Sequence, residues 1–446
     1  MKIHNWGMYP RVDVPVLACE GPQSLQALAE GSWIPRGMGR CYGDSALGQH
    51  ILSSQRLRRF LAFDPQSGLL HCESGITYED LLTHFVPKGW FPPVTPGTKF
   101  VSLGGAIASD VHGKNHHKEG SIQQHVDAFH LLLASGEVVH CSRTEHPDLF
   151  HATFGGMGLT GMILDLQIRL RPIETSAIWQ ESIKAPNLDR LIELFDESKD
   201  VTYSVAWIDV LSSGKKMGRS VLLNGEHATL DQIKGSSFAK KPLGIPQKLK
   251  LAVPFHFPSF ALNALSVRAF NFAYYHKQGP MRKEGLADYD SFFYPLDAIH
   301  HWNRIYGKRG FTQYQFVVPY EGGAEAIRKV LKRTQQDNLG SFLAVLKTFG
   351  KENGWLSFPM EGYTLTLDFP ISKKLFPILD ELDAIVMDHG GRVYLTKDVR
   401  LNAQNMQKMY PEYGKFSTLL QKLDPKGTVR SFQSERIGLH PETVLA

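Results

Sequence analysis

At 446 residues the chain is longer than one ordinary hydrophobic core organises, so two or three domains are expected. A hydrophobic content of 42% with 21% charged residues excludes an intrinsically disordered chain, and a net charge of +5 at this length gives no reason to invoke nucleic acid. The four cysteines, Cys19, Cys41, Cys72 and Cys141, have no CxxC or metal-ligand spacing and read as reduced thiols, and neither a secretory h-region nor an apolar run of spanning length is present, so a cytoplasmic location is expected.

A helical pattern begins at Ser24, and a short strand from Trp33 then enters the glycine turn Arg36-Gly37-Met38-Gly39-Arg40-Cys41-Tyr42-Gly43-Asp44. Its third glycine, Gly43, comes one residue late for a GxGxxG dinucleotide fingerprint. Alternation from Leu61 to Gly75 predicts two strands around Asp64-Pro65-Gln66-Ser67-Gly68, and Tyr78 to Val86 reads as a helix closed at Gly89. The most informative stretch runs from Pro96 to Ser121. It opens as a turn, passes through the small residues Ser102, Gly104, Gly105, Ala106, Ala108 and Ser109, and becomes basic at His112-Gly113-Lys114-Asn115-His116-His117-Lys118. A run so poor in bulk exposes backbone N–H groups and short hydroxyls to whatever approaches, and the cationic end suits a large, flat, anionic cofactor beside a reacting centre. The residues fit equally a tight loop packed under a neighbouring helix. Adjacent His116 and His117 lack the spacing of metal ligands on one face, and no metal is expected.

Ala128 to Leu133 and Val138 to Cys141 flank Ser135-Gly136 as a hairpin, and His146-Pro147-Asp148 starts a short helix. Gly156, Gly158 and Gly161 match GxGxxG, but with a helix before and a strand after, the reverse of what a nicotinamide-binding turn requires. Arg171-Pro172 reads as a domain boundary, followed by a helix from Leu188 to Glu197 and a strand from Ser204 to Val210. Between Gln232 and Lys283 there is no Asp or Glu, while Lys240, Lys241, Lys248, Lys250, Lys277 and Lys283 accumulate among Phe255, Phe257, Phe260, Phe270, Phe272 and Tyr274. Such a tract suits the interface of an anionic membrane, or a solvated loop with a helix docked on the domain. Gln313 and Gln315 share one face of an otherwise apolar strand, where they either bond a ligand or face solvent. Leu356-Ser357-Phe358 and Tyr363 to Phe369 read as paired strands, and a helix from Leu375 to Asp388 leads to Gly390 through Asp398.

With these segments assembled, the chain resembles the vanillyl-alcohol-oxidase-type flavoproteins, and within them the members that oxidise polyprenyl-phosphoryl pentoses. The resemblance is carried by the Arg36 to Asp44 turn, Pro96 to His117, Gly155 to Gly161, Gln313 to Phe316 and Tyr394 to Asp398. It implies an α+β fold: a split PCMH-type FAD-binding domain of two α/β subdomains (1–173), an inserted substrate domain of antiparallel sheet plus helices (174–390), and a C-terminal segment (391–446) returning to the FAD domain. It implies FAD held by Arg36, Gly37, Met38, Gly39, Arg40, Cys41 and Tyr42. Thr98, Ser102, Gly104, Gly105 and Ala108 would form a second wall, with His112, Gly113, Lys114 and Asn115 after it and Gly158, Gly161 and Ile163 opposite. Where covalent members carry a flavin-linking histidine this chain has Arg40, which implies non-covalent FAD.

Oxidation of a secondary alcohol needs a C–H aimed at the flavin and a group that accepts the hydroxyl proton or stabilises the alkoxide. By the resemblance Lys397, Gln315 and His112 serve that chemistry, and Lys114, Gln313, Gln315, Thr366 and Lys397 contact substrate. Thr366 stands where mycobacterial members carry a cysteine beside the flavin. The implied partners are a lipid-linked sugar phosphate, a nicotinamide-dependent short-chain reductase that completes a 2′-epimerisation for arabinose-type cell-envelope glycans, and a peripheral contact with the inner face of the membrane. An FAD-dependent oxidase of free sugars, alditols or aldonolactones fits the same turns, and a flavin-free binding protein would keep the fold alone.

Overall fold

The structure is a computed structural model that describes residues 2–28, 31–247, 251–258, 263–352 and 354–440. Lys248, Lys250 and Phe260 of the basic tract lie outside these residues. Three strands, β1 (Val16–Ala18), β2 (Trp33–Arg36) and β3 (His50–Ser53), form a parallel sheet in the order β1-β3-β2. The helical pattern at Ser24 is a 3₁₀ turn, Pro22–Ala27.

Strands β4 (Phe60–Asp64) and β5 (Leu69–Glu73) form the expected hairpin. Helix α1 (Tyr78–Phe85) starts on a reciprocal capping box between Thr77 and Asp80 and ends before Gly89, whose φ of 80° demands glycine. The small-residue stretch folds into a short helix, α2 (Leu103–Ala108), followed by the single turn α3 (His116–Glu119). Next come β6 (Val126–Leu132), β7 (Val138–Ser142), helix α4 (Pro147–Thr153) and β8 (Met162–Arg169). Gly155, Gly158 and Gly161 all take positive φ between α4 and β8, so these glycines build a left-handed connection rather than a phosphate turn before a helix. The second sheet is antiparallel in the order β7-β6-β8-β5-β4. Alternation places Leu70, Cys72, Phe129, Leu131 and Leu166 in a core under α1, α2 and α4 and leaves the other face to solvent.

The second half is built on eight strands: β9 (Ala177–Ala185), β10 (Tyr203–Ile208), β11 (Ser220–His227), β12 (Arg282–Asp288), β13 (Phe311–Val318), β14 (Ala344–Phe349), β15 (Gly362–Pro370) and β16 (Arg392–Val393). They pair antiparallel in the order β12-β9-β11-β10-β14-β15-β13-β16. The predicted strand at Leu356–Phe358 is absent. β15 pairs with β14 instead, because Ala344–Phe349 supplies the longer ladder, with six partners in register from Ala344↔Leu367 to Phe349↔Gly362. Helices α5 (Leu188–Glu197), α8 (Tyr320–Gln336) and α9 (Leu375–Asp388) cover one face of this sheet, while α6 (Ala264–Lys277) and α7 (Tyr289–Phe293) lie between its strands in sequence. α5 shows why it docks there. Leu188, Leu191, Leu194 and Phe195 form one buried stripe, each worth roughly 1.5–3 kcal/mol on burial, opposite the exposed Arg190, Glu193 and Glu197.

After β16 the chain adds α10 (Ala403–Met409), α11 (Tyr413–Leu423) and α12 (Phe432–Arg436) and returns to the first sheet. The Arg430 N–H donates to the carbonyl of Trp33 at 2.8 Å and that of Phe432 to Leu47 at 2.9 Å, while Arg436 bridges Asp44 and Asp398. No helix among the described residues is long and apolar enough to cross a membrane.

Candidate active site

A cavity of about 870 Å³ opens between the turn after β2, the segment through α2, and the uncovered face of the eight-stranded sheet. That volume lies toward the upper end of small-ligand sites. The first wall contains Arg36, Gly37, Met38, Gly39, Arg40, Cys41 and Tyr42. The second contains Thr98, Ser102, Gly104, Gly105 and Ala108, continuing into His112, Gly113 and Lys114, with Gly158, Gly161 and Ile163 facing them. Asn115 is the exception: it does not line the cavity, and its buried amide donates to the Pro93 carbonyl at 2.8 Å and to Glu119, so it fastens the α3 turn.

Strand register explains the sheet wall. Gln313, Gln315 and Val317 on β13 stand opposite Asp368, Thr366 and Thr364 on β15, and Thr366 and Thr364 in turn oppose Val345 and Lys347 on β14. A two-residue period therefore brings Gln313, Gln315, Thr366, Val345 and Lys347 onto one face. Farther across the same face the lining changes to Val205, Trp207 and Leu223, with Phe270 and Tyr274 of α6 and Phe342 completing an apolar arm. Lys397 enters from the turn after β16, where its N–H donates to the Tyr394 carbonyl at 2.9 Å.

The polar groups here are strongly perturbed. Gln315 donates its amide to Nε2 of His112 at 3.0 Å, which leaves the ring proton on Nδ1, and that atom has no partner among the described residues. Burial, then Lys347, His116 and Lys397, hold the His112 pKa well below its usual range, so the ring is neutral. Lys114, Lys347 and Lys397 are each half-buried and open to the cavity. Desolvation pushes Lys397 down to about 8 against the opposing pull of Asp368, and Lys347 down to about 7 with help from Lys397. Lys114 falls to about 7 for the same reason, with Lys347 as its neighbour, and its ammonium donates to the Phe292 carbonyl. Among the described residues, no carboxylate lies within ion-pairing distance of Lys347 or Lys397. Asp368 is fully buried. Its carboxyl is pushed up to about 7 and accepts from Gln313 at 2.6 Å and Tyr306 at 3.2 Å.

The residues present fit FAD. Side-chain oxygens of Ser74, Thr95 and Ser102 are buried along the cavity without a hydrogen-bond partner, as is His112 Nδ1, so the walls present unsatisfied polar atoms to a polar guest. The walls also approach too closely for larger residues. A Cβ on Gly37 would stand 2.2 Å from Ser102 Oγ, and one on Gly104 would stand 2.8 Å from Ser74 Cβ. Arg40 is held between the rings of Trp6 and Phe100, at 4.3 and 5.2 Å.

Lys347, Asp368, Ser74 and Thr95 are lining or supporting residues that sequence reasoning missed. The signal for Lys347 and Asp368 was akin to the one that exposed Gln313 and Gln315: the one charged side chain in each of two largely apolar strands, Ala344–Phe349 and Gly362–Pro370.

Residues 26–142 match the model of the FAD binding domain family, and residues 308–437 that of D-arabinono-1,4-lactone oxidase. The chain is 36% identical to decaprenylphosphoryl-beta-D-ribose oxidase of Mycolicibacterium smegmatis, over 98% of this chain and 97% of that protein. It is 34% identical to an uncharacterized protein of Streptomyces coelicolor over 82% of this chain and 100% of the relative. A shorter match, 29% identical over 26% of the chain and 22% of the relative, is to human delta(24)-sterol reductase. Similarity of this extent along both whole chains, joined to a cavity that fits the cofactor, makes this protein an FAD-dependent oxidoreductase that belongs to the vanillyl-alcohol-oxidase family alongside decaprenylphosphoryl-beta-D-ribose oxidase.

Proposed function

We propose that the enzyme oxidises the 2′-hydroxyl of a polyprenyl-phosphoryl pentose to a 2′-keto sugar, as the first half of a 2′-epimerisation. One observation carries the reading: a single cavity passes from an amide-and-lysine end, with Gln313, Gln315, Thr366 and Lys347 on the sheet and Lys397 entering beside them, into the apolar arm of Val205, Trp207, Leu223, Phe270, Tyr274 and Phe342. A sugar phosphate on a long hydrocarbon needs both ends at once, whereas a free alditol or aldonolactone uses only the first.

When bound, FAD supplies the hydride acceptor, held non-covalently because Arg40 cannot form the family's histidyl link. Gln315, fixed by His112 and Thr364, orients the sugar. Lys347 and Lys114, neither ion-paired with a carboxylate among the described residues, neutralise the phosphate. Lys397 Nζ meets the reacting hydroxyl. With a pKa of about 8 it holds an appreciable neutral fraction near neutral pH and can accept the hydroxyl proton, and in its charged form it stabilises the alkoxide. Neutral His112, whose Nε2 is already occupied, donates from Nδ1 and is not the base. The apolar arm and the covering α6 exclude water from that end.

The keto product is consumed by a separate nicotinamide-dependent short-chain reductase, and the lipid is reached at the inner face of a membrane. The deciding measurement is the anaerobic visible spectrum of the holoenzyme during titration with polyprenyl-phosphoryl ribose, with a free alditol and an aldonolactone in parallel. Bleaching by the lipid-linked sugar alone is expected. Bleaching by the free sugars alone would replace this reading with that of a soluble-sugar oxidase.

A further inference from the structure

The solvent face of the five-stranded sheet carries a second cluster. Asp165 on the central strand β8 lies directly opposite His130 of β6, and His71 of β5 sits one diagonal step away, opposite Gln167. His71 Nε2 and His130 Nδ1 each lie 2.8 Å from the same oxygen, Oδ1 of Asp165. The three donor atoms fall within 4.8 Å of one another, and no other such trio of His, Cys, Asp or Glu occurs among the described residues. Their strand neighbours point into the core, so all three stand on the outer face, with side chains between one-fifth and two-fifths exposed. Residues 94 and 35 apart in sequence are brought together here, which no local spacing could announce.

Two imidazoles and a carboxylate converging on one point are a donor set for borderline divalent cations of the first transition row. Four-coordinate zinc takes His nitrogen and carboxylate oxygen at about 2.0–2.2 Å, so its ligand atoms stand roughly 3.3 Å apart. Small side-chain rotations bring the set to that value, opening the two 2.8 Å contacts to Asp165 and bringing the two imidazole nitrogens, within 4.8 Å of each other, together. The backbone beneath is a three-strand ladder that already sets the spacing, so little ordering accompanies capture of the ion. The neighbouring His140 of β7 is engaged by Glu145 through Nδ1 at 2.9 Å, and its ring centre is 5.2 Å from that of His130.

We propose that His71, His130 and Asp165 form a binding site for a divalent transition-metal ion, best matched by zinc, that staples β5, β8 and β6 on the face remote from the flavin. Water completes the coordination. Ile163, which lines the flavin cavity, lies on the same strand as Asp165, so the staple braces one wall of the cofactor site without contacting it.

The test uses untagged, chelator-treated holoenzyme, titrated calorimetrically with zinc chloride at pH 7.5. One equivalent is expected to bind and to raise the thermal midpoint. His71→Ala, His130→Ala and Asp165→Asn should each lower affinity by at least about tenfold and abolish the thermal shift, while His140→Ala retains both. The flavin spectrum of each variant, and its midpoint without zinc, separate lost binding from misfolding. Absence of a stoichiometric site, zinc binding indifferent to the three substitutions, or loss caused equally by His140→Ala would each overturn the proposal.

Discussion

The ammonium of Lys397 lies 4.1 Å from the centre of the Tyr42 ring, so the turn that follows β16 and the glycine turn that follows β2 meet over the cavity. The ring face offers a desolvated cation an electrostatic partner without neutralising it. That leaves Lys397 charged enough to stabilise an alkoxide and, at a pKa of about 8, able to take a proton. Lys397→Met should keep the flavin spectrum and lower the rate of anaerobic flavin reduction by about 10²–10³-fold, the range for removing one group that stabilises a developing oxyanion. Rapid-mixing absorbance at saturating substrate checks it. An unchanged reduction rate would remove Lys397 from the chemistry.

Lys347 makes binding and stability depend on pH in opposite senses. Its pKa is depressed from 10.5 to about 7, so between those values the unfolded chain binds more protons than the folded one. The sign follows directly: the stability penalty is fully present below about pH 7 and is relieved as pH rises toward 10.5. A phosphate, by contrast, favours the charged form, so kcat/KM for the lipid-phosphate substrate should fall as pH rises above about 7. Lys347→Met should raise KM at pH 7, flatten that fall, and be at least as stable as the parent at pH 6–7. A pH series of initial rates, paired with denaturant unfolding without substrate, measures both. A KM unaffected by the substitution would contradict the phosphate contact.

Gly105 isolates cofactor binding from folding. A Cβ there meets only Ser102 Oγ, at 3.1 Å, and otherwise points toward the cavity. Gly105→Val should therefore fold and lose FAD, giving a colourless protein with near-parental circular dichroism and at least a tenfold weaker FAD affinity by fluorescence titration. Retention of a full flavin complement would mean that the cofactor does not lie against α2.

The glycine turns and the HGKNHH run were legible because their chemistry is local: small residues and adjacent charges are read without knowing the fold. Gln313 and Gln315 were legible because two amides on one face of an otherwise apolar strand are costly to bury without a partner. Lys347 follows the same rule, but its strand, Ala344–Phe349, is not among the strands the sequence pattern marks, which include Leu356–Phe358 instead, and register decides which polar residue faces the cavity. Asn115 was misplaced for the converse reason. It stands in sequence beside cavity residues, yet the α3 turn rotates it inward. The His71, His130 and Asp165 cluster exists only through sheet topology.

Thr366 decides susceptibility to covalent capture. It lies between Gln315 and Val345 on the cavity face, where a hydroxyl offers no thiolate. Thr366→Cys should retain flavin and acquire one equivalent of label from a thiol-reactive compound shaped to the cavity, seen as a mass increase on that peptide. The parent holoenzyme should gain none there. Cys41, the cavity's own cysteine, sits in the glycine turn with its thiol pushed up by burial, so it does not compete. Failure of the variant to label would show that this position is closed to ligands.

The surface around α6 bears on how the proposed lipid-linked substrate would reach the apolar arm. Leu265, Leu251 and Phe255 are 77%, 65% and 62% exposed, and Phe272 and Met281 are also exposed, all within one stretch of the chain. Phe270 is exposed too, yet it lines the cavity, so the outer face and the inner arm share a side chain. Lys240, Lys241, Arg268, Lys277, Arg282 and Lys283 lie in the same tract, and each basic group near an anionic bilayer contributes about 1 kcal/mol at low screening. Membrane association should therefore be salt-sensitive and drawn from both terms. Flotation with vesicles of phosphatidylglycerol and phosphatidylcholine is expected to recover the parent in the lipid fraction. The pair Lys240→Glu and Lys241→Glu should reduce recovery most at low salt, and Leu265→Ser with Phe272→Ser should reduce it at every salt concentration. Recovery unaffected by both variants would assign this surface another partner, and the substrate would then have to be delivered from solution.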